Sequence, residues 1–315
     1  MRDRVVNLLK IAVSLSLLLV LVWKIGWRET WETLIQANSR YLLAAWSLYL
    51  FSMVLRAYRW LVLLRIQKLH APLSRLTSLY FIGTFFNTVL PTGFGGDVVR
   101  MYELSRHSHQ GTESVSTVLV DRLCGFVVLF IMASLTLPFS YQMIPPLVTA
   151  IIVVITLLTL LGVGLALNDG VWGRLAMLPL LKSLLSQPRV QQFRVSIIAY
   201  RTRAISNALL ASLIFNIMLM IINYLVALAF GIRISPRYFL VFVPIISFLL
   251  TLPISLSGLG VREGGYVLLF GQAGVPSSLA FGMALCVYAM TVATGLIGGL
   301  LYALQGYRSL DKTIE

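Results

Sequence analysis

The chain's 315 residues are 58% apolar and only 11% charged, with a mean hydropathy of +0.89. A soluble domain carries roughly 45–50% apolar and 25% charged residues, so this composition excludes a soluble enzyme and calls for a bilayer as solvent. The formal charge of +14 comes from Lys and Arg set between apolar segments, which is how a membrane protein fixes its orientation, and it does not point to a nucleic-acid partner.

A spanning helix needs about 20 mostly apolar residues. The first such run, 8–25, follows Met1-Arg2-Asp3-Arg4 and leads into Trp23-Lys24-Ile25-Gly26-Trp27. No small-residue cleavage site follows, so it reads as a retained span rather than a signal peptide. Further spans are predicted at about 40–55 with its flanks, 115–138, 145–167, 204–230 and 278–304. Residues 76–90 and 238–252 differ. Each ends in a Pro/Gly-rich break and continues into a shorter or more polar piece, as a re-entrant hairpin would. The expected fold is an all-α, polytopic helical bundle of six full spans plus two hairpins; eight full spans would keep the same parity.

The stretch 168–203 is the long hydrophilic connection. From Gln187 to Arg203 it alternates basic and apolar residues, as an interfacial helix does. The chain therefore reads as a single transmembrane domain, 1–315, with halves 1–167 and 204–315 joined by this segment. With Met1 inside, 18 basic residues fall on cytoplasmic segments and five on outer ones. That bias predicts that both termini lie in the cytoplasm.

The two breaks align. Leu90-Pro91-Thr92-Gly93-Phe94-Gly95-Gly96-Asp97-Val98-Val99-Arg100 and Leu252-Pro253-Ile254-Ser255-Leu256-Ser257-Gly258-Leu259-Gly260-Val261-Arg262 share five residues in eleven at an offset of 162. With one hairpin entering from each side, this is an inverted-topology repeat, a common transporter plan. Pro91 and Pro253 stop the preceding helices. Gly93, Gly95 and Gly96, like Ser257, Gly258 and Gly260, permit tight turns and expose backbone N–H groups. Half-helices starting near Asp97 and Leu259 would aim their positive ends inward, at a phosphate or carboxylate.

Asp97, Glu103, Asp121 and Glu263 fall in or beside membrane segments, as do Arg100, Arg122 and Arg262. A lone charge at mid-bilayer costs roughly 2.5–3.5 kcal/mol, so these should pair around an interior cavity. Adjacent helical residues face apart, which pairs Asp121 with Arg100 or Arg262, and Arg122 with Asp97 or Glu103. A purely structural salt-bridge cluster is the plainer alternative. Arg56 and Arg59, beside Trp60, read as interfacial anchors, with phosphate gathering as the alternative. Asn87, Asn216 and Asn223 suit interhelical hydrogen bonds, and Gly295 with Gly299 suits close helix packing. His107 and His109 lack a third ligand, and Cys124 and Cys286 lie in apolar runs. No metal, cofactor or catalytic constellation is expected.

The segment Leu90–Arg100, the pair Asp121-Arg122 and Leu256-Ser-Gly-Leu-Gly-Val-Arg-Glu-Gly264, together with Arg56-Ala-Tyr-Arg-Trp60, resemble the motifs of the lysylphosphatidylglycerol synthase transmembrane region, or flippase-like domain family. The resemblance spans nearly the whole chain and implies a domain that moves an amphiphilic lipid between leaflets. In the multiple peptide resistance factors this domain is fused to one that transfers an aminoacyl group to phosphatidylglycerol. This sequence ends at Glu315 without it, so no transferase activity is expected.

The expected function is therefore a flippase for a phospholipid or lipid-linked intermediate. Its partners would be membrane lipids with an anionic phospholipid or lipid-phosphate headgroup, and a separate transferase. Arg100, Arg262 and the backbone at 93–96 and 255–260 would bind the phosphate. Asp97, Glu103, Asp121 and Glu263 would neutralise those arginines or hold a cationic headgroup. Two rivals are a membrane enzyme that modifies a lipid headgroup or prenyl phosphate, with Asp97 or Glu263 as base, and a non-transporting scaffold for a transferase.

Overall fold

Inside hydrocarbon, backbone polar groups find no water, and a helix satisfies them within one segment. The computed structural model describes residues 34–90, 94–108, 110–139, 144–168, 203–252 and 257–314, with Ser255 and a few isolated positions between 170 and 200. Among the described residues the chain is helical, without a strand. Helix α1 is Ser39–Ile66, α2 Leu73–Val89, α3 Gly95–Ser108 and α4 Gly111–Thr136, which runs on through a 3-10 turn at Leu137–Phe139. Then come α5 (Pro146–Leu167), α6 (Arg203–Ala229), α7 (Arg237–Thr251), α8 (Val261–Gln272) and α9 (Ser277–Ile314).

Five of these are long and apolar enough to cross a membrane: α1, α4 with its 3-10 extension, α5, α6 and α9. They fall where five of the sequence-predicted spans were placed, and the chain is a multi-pass helical membrane protein. The expected first span, 8–25, and most of the expected interfacial helix lie outside the described residues. Asn38 opens α1 by accepting the Arg40 N–H on its side-chain oxygen at 3.0 Å, a good N-cap.

The expected breaks are present. Helices α2 and α7 end at Leu90 and Leu252 with nearly the same extended backbone, φ/ψ −83/137 and −74/136. A proline follows each, and proline drives the residue before it out of the helical region. The two segments then diverge. Helix α3 resumes at Gly95, whereas residues 257–260 remain a turn, with positive φ at Ser257, Gly258 and Gly260. In the aligned register α8 starts four residues later than α3, about one turn. Arg100 therefore stands in the second turn of its helix and Arg262 in the first of its own.

Packing interleaves helices that are distant in sequence: α1 lies along α6, and α2 along α9. The second contact is close because α9 presents glycines. A Cβ on Gly298 would stand 1.9 Å from the Phe81 carbonyl oxygen, and Gly295 and Gly299 also face α2. Gly96 meets Gly83 equally closely, where a Cβ would come 2.0 Å from the Gly83 carbonyl oxygen. One apolar core gathers Phe239, Phe242, Phe248 and Phe270 with Phe130 of α4. A second gathers Trp60, Leu64, Leu76 and Tyr80, and its aromatic edge faces the charged residues. Helix α5 is the least buried of the five long ones.

Candidate functional site

Asp121 and Arg122 are neighbours on α4, so their side chains leave the helix in different directions. Asp121 is 1% exposed. Its Oδ1 accepts from Arg59 Nε at 2.7 Å, and its Oδ2 accepts from Arg100 Nη2 at 2.9 Å and from the Tyr80 hydroxyl. Arg59 also donates through Nη1 to Ser212 Oγ of α6 at 2.9 Å. Gly125, one turn beyond Asp121, leaves room for that guanidinium: a Cβ there would meet Arg59 Nη1 at 3.2 Å.

Arg100 continues the chain of charges. Its Nη1 reaches Asp97 Oδ1 at 3.3 Å. Its guanidinium lies over the rings of Trp60 and Tyr80, 4.2 and 3.9 Å from their centroids. Arg122 pairs with Asp97 Oδ2 and lies 4.0 Å over Phe94. Five side chains thus form a continuous network, Arg59–Asp121–Arg100–Asp97–Arg122. Such a network adds little stability over an apolar replacement, but removing one member strands the others at high cost.

Two cavities open on it. The first, about 200 Å³, is bordered by Arg56, Arg59, Asp97, Arg100, Asp121 and Arg122, with Asn87, Phe126, Phe215 and Asn216. The second, about 230 Å³, is bordered by Arg56, Asn87, Asp97, Arg100, Ser257, Arg262 and Tyr288, among others. Arg56, Asn87, Asp97 and Arg100 border both. Arg56 lies over Tyr80 and Phe215 at 4.8 and 5.2 Å. Arg262 lies 4.7 Å over Tyr288 and donates through Nη2 to the Ser257 carbonyl at 3.3 Å. Its Nη1 is buried without a hydrogen-bond partner.

Of the residues singled out from sequence, Asp97, Arg100, Asp121 and Arg122 come together at the first cavity. Arg262 and Ser257 border the second together with Asp97 and Arg100. Asp121 has Arg59 and Arg100 as its partners; Arg262 is not one. Glu103 is half-buried on α3 and borders neither cavity.

Glu263 corrects the expectation more sharply. It is fully buried and borders neither cavity, and its Oε2 accepts the Gly260 N–H at 2.6 Å. As the third residue of α8 it turns back to cap its own helix, so it does not neutralise the arginines. The backbone expectation also changes. The Gly96 N–H is taken by Asn87 Oδ1 at 2.8 Å and the Gly260 N–H by Glu263, so neither is offered to a ligand. Gly95 and Gly96 serve close packing, with a Cβ on Gly95 falling 2.6 Å from the Leu90 side chain. Gly258 holds φ +81 against Leu250. Gly93 lies outside the described residues.

Arg56, which borders both cavities, and Arg59 are the residues that sequence reasoning misplaced, Arg59 the more so. It is 4% exposed and paired, not an anchor at the interface. A signal was present: Trp60-Leu61-Val62-Leu63-Leu64 follows it, so Arg59 sits within an apolar run rather than at its edge. Of the three asparagines, Asn87 and Asn223 bond across helices, the latter accepting from the Tyr266 hydroxyl. Asn216 instead donates within α6, to the Ser212 carbonyl at 2.8 Å.

The family described as "Lysylphosphatidylglycerol synthase TM region" matches residues 7–299 of the chain. The UPF0104 membrane protein PH1989 of Pyrococcus horikoshii is 29% identical over 159 residues, which is 48% of this chain and 48% of that protein. The match thus spans about half the length of that relative. No solved structure matches the chain.

Proposed function

We propose that this chain, which belongs to the lysylphosphatidylglycerol synthase transmembrane-region family, moves a phospholipid or lipid-linked intermediate with an anionic headgroup between leaflets. One observation carries the reading: Arg100 borders both cavities while bonded to two carboxylates. A headgroup phosphate arriving at Arg262 and Arg56 would take over Arg100 bonds now made to Asp97 and Asp121. Relayed onward, it would reach Arg122 and Arg59 in the first cavity. Each step exchanges one charge-assisted contact for another, so the anion crosses without standing unpaired in low dielectric. Ser257, at the second break, and Arg100, just past the first, bring both interrupted segments to this path, as expected for paired re-entrant elements working by alternating access. The chain would lie in a prokaryotic inner membrane, and the 18-to-5 distribution of basic residues favours cytoplasmic termini.

The test is reconstitution of the full chain in liposomes with fluorescent phospholipids, whose exposure in the outer leaflet is read by chemical quenching. Wild type should speed exchange, and Arg100→Ala and Arg262→Ala should each remove most of that activity. Exchange no faster than in empty liposomes would end the proposal. Stable co-purification with a lipid transferase would then favour a scaffold role.

A further inference from the structure

Among the described residues, five arginines and two aspartates border the two cavities. The arginines described around these cavities thus outnumber the lining carboxylates by three. Both aspartates are already engaged, Asp121 by Arg59 and Arg100, and Asp97 by Arg100 and Arg122. Arg56 and Arg262 have no carboxylate partner among the described residues, and Arg262 keeps a buried N–H group unbonded. Guanidinium groups at membrane depth are costly without a counter-charge. Arg56, Arg100 and Arg262 nevertheless converge on one space of about 230 Å³ where, among the described residues, Asp97 is the single lining carboxylate.

We propose that the second cavity is built for a headgroup ending in a phosphomonoester or diphosphate, in preference to the singly charged phosphodiester of an ordinary phospholipid. The proposal rests on the lipid-transport reading and narrows its substrate. A phosphodiester brings one negative charge and two non-bridging oxygens, which a single guanidinium fork can satisfy. A terminal phosphate brings about −1.5 to −2 charge and three strong acceptor oxygens, one for each of the three arginines. It also comes close to cancelling the excess of two positive charges among the residues described around this cavity. The guanidinium carbons lie over the rings of Tyr80, Trp60, Phe215 and Tyr288, and a guanidinium held against a ring still has N–H groups to offer a phosphate.

The test is binding, measured apart from transport. The purified full chain in detergent is titrated with fluorescent phosphatidic acid and with phosphatidylglycerol of the same acyl chains. Farnesyl diphosphate and inorganic phosphate serve as competitors. Phosphatidic acid should bind about tenfold more tightly or better. Arg56→Gln and Arg262→Gln should each weaken phosphatidic acid more than phosphatidylglycerol and so bring the ratio near one. The preference should shrink between about pH 7.5 and about pH 5, as the second phosphate proton returns. Competition by farnesyl diphosphate alone would assign recognition to a lipid-borne phosphate, and competition by both would assign it to the anion itself; either supports the proposal. Phosphatidylglycerol binding as tightly as phosphatidic acid, or a ratio unmoved in both variants, overturns it. Should a variant not fold, the wild-type ratio and its pH profile decide. Selective binding without leaflet exchange would sink the transport reading and leave this one standing.

Discussion

The hydroxyl of Ser257 donates to the carbonyl of Asn87 at 3.2 Å, across 170 positions of sequence. Asn87 also accepts the Gly96 N–H on its side chain at 2.8 Å. One residue near the end of α2 thus holds both interrupted segments, and it borders both cavities.

Replacing Asn87 with Leu should therefore do more than remove a polar side chain. It strands the Gly96 N–H, an unsatisfied donor worth about 1–3 kcal/mol. Thermal unfolding in detergent should drop accordingly, and leaflet exchange should fall with it. An unchanged melting temperature would show that the Asn87 side chain does not hold the first break, since the Ser257 hydroxyl bonds the Asn87 backbone carbonyl, which leucine keeps.

Asp121 is the point on which two guanidiniums depend. Asp121→Leu should cost about 3–5 kcal/mol, because Arg59 loses its carboxylate in a buried site. Adding Arg59→Met to that variant should recover part of the loss, since the stranded charge goes with it. Purely additive losses in chemical-denaturant melts would argue that the pair is not coupled.

The glycines make a graded test. A Cβ at Gly96 or Gly298 would overlap a backbone carbonyl, so Gly96→Ala and Gly298→Ala should each destabilise by about 1–3 kcal/mol or more as helices are forced apart. Gly162 on α5 has open space around its missing side chain. Gly162→Ala should instead be neutral or gain about 0.5–1 kcal/mol from helix propensity. Equal effects at all three positions would contradict the close approaches.

Glu263→Gln should act on the helix, not on the headgroup. Its carboxylate caps the Gly260 N–H, and weakening that contact should lower stability by about 1 kcal/mol. The preference between phosphatidic acid and phosphatidylglycerol should not change. A lost preference at wild-type stability would return Glu263 to the binding site.

The spans were legible because composition dictates them: a run such as 145–167 has few alternatives in lipid. The breaks were equally plain, since Pro91 and Pro253 leave the chain no way to continue its helix. The charged network was half legible. Asp97, Arg100, Asp121 and Arg122 declared themselves by lying where charge is expensive. Arg59 hid because Arg beside Trp is also what an interface looks like, and only the packing of α1 against α4 and α6 separates the two meanings. Glu263 misled in the opposite sense. Its place next to Arg262 suggested a pair, while its place three residues after Gly260 made it a cap.

The contact of Gly298 with the backbone of Phe81 has a bearing on how the protein is made. Helix α2 is synthesised well before α9, so its face at Phe81 and Phe85 lacks this partner until α9 has been made. The closing event of biogenesis is then this late docking, and a nascent chain stopped short of Gly295 should be a target for membrane proteases rather than a slower version of the finished protein.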